Sequence, residues 1–454
     1  MLLFLDSLGN ITNSTINFSE GLNYIGNIKG IVDYKYLKIR KMNQHDLLML
    51  PDDKLIYLYG DAILFKIKNS SLKYIFPDIS GIRDIFYTKK HNGSCVISDD
   101  FFKIVSQFTV LNIDKNALVF FITHGYFPPG KTYFKEIIRV QAGNILINNE
   151  GNIIERNIFE WSNAIAPSVS YKIFKLAFNS IFENEIISND DALLLSGGCD
   201  SGLIAALSYI QFNKKPLMLT MKYKQNMGLN YNDVEKAIKI ADFYGAPFKI
   251  INVDFDSYTL QNLETFVNRM PLAAHLSMGF YEMMKNISNF GIGRVWCGQN
   301  ADNVYNLGPT GKLQGSNGIG DLIRRYYLSR EYFTGLSDVL EKSQAFPIIR
   351  LMGYFGSMLM YTKKYCKIGQ PKSFNQLKIN FLNSDNYLAL SKNCDINLPP
   401  LYEKISTRRA RQILFDEKLS SYITGRDSRV IYSACNIFKS DTVLPFSATN
   451  MIHF

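Results

Sequence analysis

A run of six small and polar residues, Ser196 to Ser201, has the composition of a binding loop for a charged ligand. The apolar residues Ala192 to Leu195 before it are typical of a buried strand, and Gly202 to Leu207 after it are typical of the beginning of a helix. Backbone N–H groups and the positive end of a helix dipole converge at such a turn, which favours a bound phosphate. The predicted phosphate-binding residues are Ser196, Gly197, Gly198, Cys199, Asp200 and Ser201. The alternative is a glycine-rich turn that binds no ligand.

Asp200 distinguishes this loop from phosphate loops that end in a Lys-Ser or Lys-Thr pair, because no such pair follows it here. A carboxylate beside phosphates is best explained as a ligand for a bound Mg²⁺ ion. We therefore predict that Asp200 binds Mg²⁺.

A second polar loop, Gly298 to Asn303, follows the short apolar run Arg294 to Cys297. Ligands of open α/β sheets bind at the carboxyl ends of the strands, so we expect Gly298 to face the phosphate and Asp302 to be a second Mg²⁺ ligand. Asp200 and Asp302 are then also the predicted catalytic residues, since two carboxylates and a metal neutralise the charge on a leaving phosphate group. The alternative role for Asp302 is a cap of the next helix.

The elements around these loops are those of an α/β protein. Turn signals such as Asn92-Gly93 separate short alternating runs before Trp161, which is typical of an antiparallel sheet. After Trp161 predicted strands alternate with predicted helices, which favours a doubly wound parallel sheet. Predicted strands span 54–59, 62–67, 95–97, 143–147, 192–195, 216–221, 248–253 and 294–297, and predicted helices span 171–187, 202–207 and 232–244. We place one domain at 1–162 and a second at 163–454, which is mostly helical beyond Gly308 and carries an aromatic, basic patch at 324–327.

Composition narrows the class of protein. The net charge of +10 comes from scattered Lys and Arg, so nucleic acid is not the favoured partner and a small anionic ligand fits equally well. The six cysteines form no CxxC pair, which argues against a zinc site or a disulfide framework and for a reducing cytoplasm. We expect neither a signal peptide nor a membrane span, because the chain has no apolar run of the required length.

The segment Ser196 to Ser201 resembles the PP-loop signature SGGxDS of ATP pyrophosphatases. These enzymes cleave ATP between the α and β phosphates and leave an adenylylated substrate, so the resemblance implies ATP together with Mg²⁺. The loop Gly298 to Asn303 resembles the GxGADE segment of asparagine synthetase B-type enzymes. Asn300 replaces the second glycine of that segment, and Asn303 replaces its glutamate. The resemblance implies a doubly wound sheet of the adenine-nucleotide α-hydrolase type.

The same resemblance implies an adenine site and an N-terminal domain of the glutaminase type. In the family the end of the second sheet strand holds the adenine, which here implies Leu219, Thr220 and Met221. The N-terminal half follows the order of the glutaminase-type domain, which is an Ntn-hydrolase-like αββα sandwich. The residues that carry this likeness are Gly60-Asp61, Asp78, Gly81, Ile85-Phe86-Tyr87, Ile97-Ser98-Asp99, Gly125-Tyr126, Pro128-Pro129 and Ala142-Gly143.

The chain departs from asparagine synthetase at position 2, where the family keeps a cysteine that hydrolyses glutamine and this chain has Leu2. We therefore expect a glutaminase-like domain without glutaminase activity. Lasso-peptide cyclases and β-lactam synthetases resemble this arrangement. The implied activity is an ATP-dependent C–N ligase that adenylates a small-molecule or peptide carboxylate and joins it to an amine or ammonia.

The second half-reaction has no assigned base. The segment Leu444-Pro445-Phe446 loosely resembles the family's PFLD region, after which family members carry further basic or acidic catalytic residues. We expect Lys404, Arg408, Arg409, Lys439, a tyrosine or a partner protein to complete this C-terminal site. Arg429 and Lys439 are otherwise predicted to be solvated surface residues.

Two alternatives stay open. Tyr223-Lys224-Gln225 and the later Gly298 loop also resemble 7-cyano-7-deazaguanine synthase, a PP-loop enzyme whose likeness would imply nucleobase or nucleic-acid modification, for example in defence. That enzyme binds zinc through four clustered cysteines, whereas Cys366, Cys394 and Cys435 are isolated. The other alternative is a non-enzymatic nucleotide-binding subunit of a larger complex.

Overall fold

The structure, a computed structural model, describes residues 1–301 and 428–452 apart from 18, 34–37, 44–45, 48, 91, 125–126, 128–129, 160–170, 224–230, 255–258 and 274–276. These residues belong to one unit of the chain, Met1–Ala301 with Lys418–Phe454. Asp302, the basic patch at 324–327 and the predicted domain boundary at 162 lie outside the described residues. The division into two domains at that boundary therefore stays a prediction.

Two five-stranded antiparallel sheets and one three-stranded sheet form the N-terminal half. Their order is β11-β9-β10-β1-β2, β13-β12-β8-β7-β3 and β5-β4-β6. The strands are β1 (Leu2–Leu5), β2 (Ile11–Ser14), β3 (Gly21–Ile25), β4 (Ile28–Asp33), β5 (Lys38–Arg40), β6 (Leu58–Gly60), β7 (Ile63–Lys68), β8 (Ser71–Phe76), β9 (Phe86–Lys89), β10 (Cys95–Ser98), β11 (Ile138–Arg139), β12 (Asn144–Asn149) and β13 (Asn152–Asn157).

Alternation along the strands explains how the two larger sheets pack. In β1, Leu3 and Leu5 point into a hydrophobic cluster that also contains Phe65 of β7 and Leu146 of β12, so the two sheets share one core. Leu2 lies in a cluster on the opposite face of its sheet, against helices α1 (Phe101–Val105) and α2 (Lys115–His124). The assignment of this half to the Ntn-hydrolase αββα sandwich remains a prediction.

One strand prediction in this half is wrong. Residues Asp52–Tyr57 form a 3₁₀ helix, and only the end of the predicted strand 54–59 is extended, as β6. Pro51 precedes the turn, and Asp52 and Asp53 lie in its first turn, where acidic side chains favour a helix N-terminus. The alternating apolar pattern was a weaker determinant here than these local helix signals.

The described residues after 170 contain a parallel sheet with five strands: β14 (Ala192–Leu194), β15 (Leu217–Tyr223), β16 (Phe248–Val253), β17 (Arg294–Cys297) and β18 (Asp441–Val443). Their order in the sheet is β16-β15-β14-β17-β18. The predicted α/β class with a parallel sheet is confirmed. Strands β16 and β17 have the predicted bounds, whereas β18 was not predicted.

Helices cover both faces of the parallel sheet. They are α3 (Tyr171–Glu185), α4 (Cys199–Ile210), α5 (Tyr231–Tyr244), α6 (Leu260–Arg269), α7 (Met278–Ser288), α8 (Ser428–Ile437) and α9 (Thr449–Ile452). Leu193 of β14 packs in a cluster with α3, α4 and α5, and its neighbour Leu194 packs in a second cluster with α6, α7 and α8. Successive strand residues face opposite sides, so a strand buried on both faces is apolar throughout. No helix in the described part of the chain is long and apolar enough to cross a membrane.

Candidate functional site

The strand order of the parallel sheet has a switch point between β14 and β17. The chain runs outward from β14 to β15 and β16 on one side, and β17 and β18 lie on the other side. The strand order therefore reverses between β14 and β17, and open α/β sheets bind ligands at this point, beyond the carboxyl ends of the strands. Leu194 pairs with Cys297, so the loops that follow these two strands begin side by side.

The loop after β14 is held together by two serines. The Ser201 hydroxyl accepts a hydrogen bond from the Ser196 backbone N–H at 3.1 Å, and the two hydroxyl oxygens are 3.0 Å apart. The Ser196 hydroxyl in turn accepts from the Gly198 N–H at 3.3 Å. Ser201 is 4% exposed, whereas Ser196 lies at the surface. Ser201 therefore anchors the loop from within, and Ser196 closes it at the surface.

Gly197 allows the loop to pack against helix α5. Its φ of +78° lies in the left-handed region, which disfavours residues with a Cβ. A Cβ at Gly197 would lie 2.5 Å from the carbonyl oxygen of Asp233 and 2.8 Å from the Cβ of Lys236. Glycine is thus required here for the backbone conformation and for the close contact with α5.

Gly198 precedes α4 and faces open space. Its φ of −82° is ordinary, and a Cβ there would meet only the Ser196 hydroxyl, at 3.3 Å. The N-cap residue of α4 is Gly198, which has no side chain to cap the helix. The first N–H groups of a helix need acceptors, and the helix dipole favours an anion in that position. The open space above Gly198 and the glycine at the N-cap fit a phosphate group.

Cys199 and Asp200 form the first turn of α4. Cys199 is an exposed free thiol, and Asp200 is partly exposed. An acidic side chain in the first turn interacts favourably with the helix dipole. Asp200 lies beside the predicted phosphate site above Gly198. Its carboxylate is of the chemical type that Mg²⁺ prefers. Of the two predicted Mg²⁺ ligands, only Asp200 is described, since Asp302 lies outside the described residues.

The loop after β17 touches the first turn of α4 through Gly298. A Cβ at Gly298 would lie 2.8 Å from the Ser201 backbone nitrogen and 3.1 Å from the Asp200 carbonyl carbon. The structure thus brings together the two loops that the sequence singled out. The contact is between backbones, which explains why glycine occupies this position.

Asn300 is the buried anchor of this second loop. It is 3% exposed and has a φ of +78°, a left-handed conformation that Asn adopts more readily than most residues. Its amide nitrogen donates to the hydroxyls of Ser428 and Ser447, the latter at 2.7 Å. Its Oδ1 atom is buried and accepts no hydrogen bond from the described residues. Asn300 therefore has a backbone conformation that also suits glycine, and its side chain ties the loop to the C-terminal segment.

The predicted adenine residues lie on β15, next to β14 and its loop. Leu219 pairs with Leu194, the last residue of β14, and its carbonyl accepts a hydrogen bond from the Leu195 N–H at 2.8 Å. Thr220 and Met221 therefore extend beyond the end of β14, next to the first loop. Leu219 and Thr220 are buried, and Met221 is partly exposed. These residues therefore lie beside the first loop, and their role in binding adenine stays a prediction.

Sequence reasoning missed the ionic partners of helix α8. Arg429 was predicted to be a solvated surface residue, but it is 5% exposed and pairs with Asp84 at 2.6 Å. Its partner is in the N-terminal half, so no local sequence signal could reveal the pair. Lys439 is exposed, as predicted.

Two buried cysteines away from the first loop, Cys95 and Cys435, are unsuited to nucleophilic chemistry. Cys95 of β10 is 1% exposed, and burial raises the pKa of its thiol to about 12. Burial likewise raises the pKa of the Cys435 thiol to about 12. Thiolates of this kind are scarce at neutral pH, so neither residue replaces the missing nucleophile of a glutaminase. No group of three or more His, Cys, Asp or Glu side chains in the described residues is arranged to hold a metal.

Comparisons with known proteins give little beyond this geometry. No family model matches the sequence, and no curated protein matches it. Among solved structures, the chain is similar to the U34-tRNA thiolase NcsA of Methanococcus maripaludis with its 4Fe-4S cluster, at 15% identity and a TM-score of 0.23, over 54% of this chain and 79% of that one. It is also similar to the NH₃-dependent NAD synthetase of Campylobacter jejuni subsp. jejuni in complex with the nitrate ion, at 16% identity and a TM-score of 0.21, over 52% of this chain and 93% of that one. Similarity this low carries no argument, so the functional proposal rests on the chain's own strand order and loops.

Proposed function

We propose that this protein is an ATP-dependent C–N ligase. It adenylates a substrate carboxylate with release of pyrophosphate, and an amine or ammonia then displaces AMP to form an amide. The observation that carries the proposal is the position of the N-terminus of α4 at the strand-order reversal, with open space above its N-cap residue Gly198 and Gly298 packed beside it. A phosphate chain bound there has N–H donors, a favourable dipole and an adjacent carboxylate.

Each predicted residue has a role in this proposal. The backbone of residues 196–201 binds the phosphates, Leu219 to Met221 hold the adenine, and Asp200 and Asp302 bind Mg²⁺. A bound Mg²⁺ ion supplies the positive charge that neutralises the departing pyrophosphate. The substrate carboxylate is a small molecule or a peptide, and a partner protein is an expected source of groups for the second half-reaction.

Isotope exchange between pyrophosphate and ATP, measured with a panel of carboxylates, tests the adenylation step. We expect exchange with at least one substrate class and a loss of about 10²-fold or more in Asp200→Ala. Asp190→Ala is the matched control, because Asp190 is an exposed carboxylate at the other end of β14. Full exchange in Asp200→Ala would contradict the assignment of this residue.

The two alternatives predict different outcomes of simple measurements. A nucleotide-binding subunit would bind ATP but would never exchange pyrophosphate, with or without a partner. A 7-cyano-7-deazaguanine synthase-like enzyme acting on nucleic acid would bind tRNA or DNA with a steep salt dependence. The buried Cys435 argues against a zinc site of that enzyme type, since its thiol packs at 3.5 Å from the Met284 sulfur.

A further inference from the structure

We infer that Asp84, in the antiparallel half of the molecule, is a positioning residue for the candidate nucleotide site and acts through helix α8. The inference rests on the proposed function, because it assigns the antiparallel half a role in ATP binding. It also assigns a function to the antiparallel half, which is expected to have no glutaminase activity.

Asp84 joins the two halves of the molecule with a buried ionic bridge. One carboxylate oxygen accepts from Arg139 Nε at 2.6 Å, and the other accepts from Arg429 Nε at 2.6 Å. The side chains of Asp84, Arg139 and Arg429 are 13%, 11% and 6% exposed. Charge-assisted hydrogen bonds of this length in a buried setting hold their partners in a narrow range of positions.

Arg429 fixes the beginning of α8, and the beginning of α8 holds the second loop of the site. Ser428, the first residue of the helix, is fully buried and hydrogen-bonds to the amide of Asn300. Asn300 follows Gly298 by two residues, and Gly298 packs against Ser201 in the first turn of α4. A contiguous series of contacts therefore runs from Asp84 to the predicted phosphate loop.

A second contact holds α8 in the same orientation. Tyr432, three residues after Arg429 and on the same face of the helix, donates a hydrogen bond to Asp61. Asp61 also accepts from Arg83 at 3.0 Å. Both carboxylates that hold α8, Asp61 and Asp84, come from the N-terminal half. The helix is thus held at two points along one face.

Stability alone does not account for these buried charges. Removing ions from water costs free energy that their attraction offsets only in part, so apolar residues of similar volume are often equally stabilising. In some proteins buried ion pairs instead provide a defined geometry, and this is the role that we assign to the bridge at Asp84. Displacement of a supporting group by about 1 Å can weaken a binding or catalytic arrangement by up to about a hundredfold.

Cys199 makes the test independent of the unknown substrate. Its thiol is exposed in the first turn of α4, whereas Cys95 and Cys435 are buried. We would measure alkylation of each cysteine by iodoacetamide, resolved by peptide mass spectrometry, over a series of Mg·ATP concentrations. In the wild type we expect Mg·ATP to protect Cys199, and we expect Cys95 and Cys435 to react slowly throughout.

Two variants and one control variant test whether Asp84 affects ATP binding. In Asp84→Asn the ATP concentration for half-protection of Cys199 should rise about tenfold, and in Arg429→Lys about threefold, as supporting residues typically act. Asp52→Asn is the control: Asp52 also forms an ion pair in the antiparallel half, with Lys66 at 2.7 Å, and should stay within about twofold of wild type. Arg429→Lys keeps the charge at this position and serves if Asp84→Asn does not fold.

The possible outcomes are distinguishable. Wild-type half-protection in folded Asp84→Asn and in Arg429→Lys would overturn the inference and leave the proposed function intact. Faster alkylation of Cys95 and Cys435 with unchanged protection of Cys199 would show a purely structural role and would also overturn it. If ATP did not protect Cys199 in the wild type, ATP binding at this loop would fail, and the inference would fail with it.

Discussion

The two loops at the candidate site differ in their burial and in their hydrogen-bond partners. The loop at 196–201 is largely exposed, with Gly198 open above it and serines that bond only within the loop. The loop at 298–301 is buried at Asn300 and Ala301 and bonds to the C-terminal segment. The difference indicates that the first loop contacts the ligand and that the second loop supports the first. Glycine substitutions can test this difference, because each loop uses glycine for a different physical reason.

The largest effect is expected at Gly197. Gly197→Ala combines a left-handed backbone with a clash against the Asp233 carbonyl, so it should lower the free energy of unfolding by roughly 2–4 kcal/mol and abolish ATP binding. Gly291→Ala isolates the backbone contribution, since Gly291 has a φ of +69° but no atom within 4 Å of an added Cβ. Thermal unfolding of both variants measures the difference. Equal losses of unfolding free energy in the two variants would mean that the contact of Gly197 with α5 does not contribute to stability.

Gly298→Ala should have the next largest effect. An added Cβ would press on the Ser201 backbone nitrogen, and overpacking of this kind costs about 1–3 kcal/mol. We expect lower stability together with weaker ATP binding, measured by calorimetry. Gly293→Ala, at the other end of β17, has no atom near an added Cβ and should behave as the wild type. Unaltered ATP affinity in Gly298→Ala would separate the second loop from the site.

Gly198→Ala should leave the fold intact and weaken ligand binding. The backbone conformation suits alanine, but the methyl group fills the space above the helix N-terminus, so we expect about a tenfold loss of ATP affinity, equivalent to about 1.4 kcal/mol. Gly202→Ala, in the same helix, would place a Cβ 3.7 Å from Ile240 and should bind ATP normally with slightly higher stability. Unchanged affinity in Gly198→Ala would argue against ligand contact at this loop.

The smallest effect is expected for Asn300→Gly. Asn300→Gly keeps the left-handed backbone but loses the hydrogen bonds to Ser428 and Ser447, at a cost of about 1 kcal/mol. Asn300→Ala loses the same bonds and adds left-handed strain, so its cost should be larger by about 1–2 kcal/mol. Chemical denaturation resolves both values. If both variants matched the wild type, the buried amide would have no supporting role.

Local patterns predicted four strands of the parallel sheet, β14 to β17, and three of its helices, α3 to α5, but not the helices α6 and α7. Strands β16 and β17 and helix α5 follow from short apolar runs and helical spacing, with errors of at most one residue. The short strand β18 was missed because three residues have no distinctive pattern, and its assignment depends on parallel pairing with β17. Burial of Arg429 was missed for a similar reason, since Asp84 lies far away in the sequence.

By itself, the sequence determined the local chemistry of the first loop: two glycines with different conformational roles, an acidic residue at a helix N-terminus and serines spaced to bond to each other. These features depend on neighbouring residues, so composition and spacing specify them. Only the tertiary structure decided that the loop lies at a reversal of strand order and that Gly298 packs against it. It also decided that Asn300, α8 and Asp84 support the second loop, because burial and ion pairing join residues that are distant along the chain.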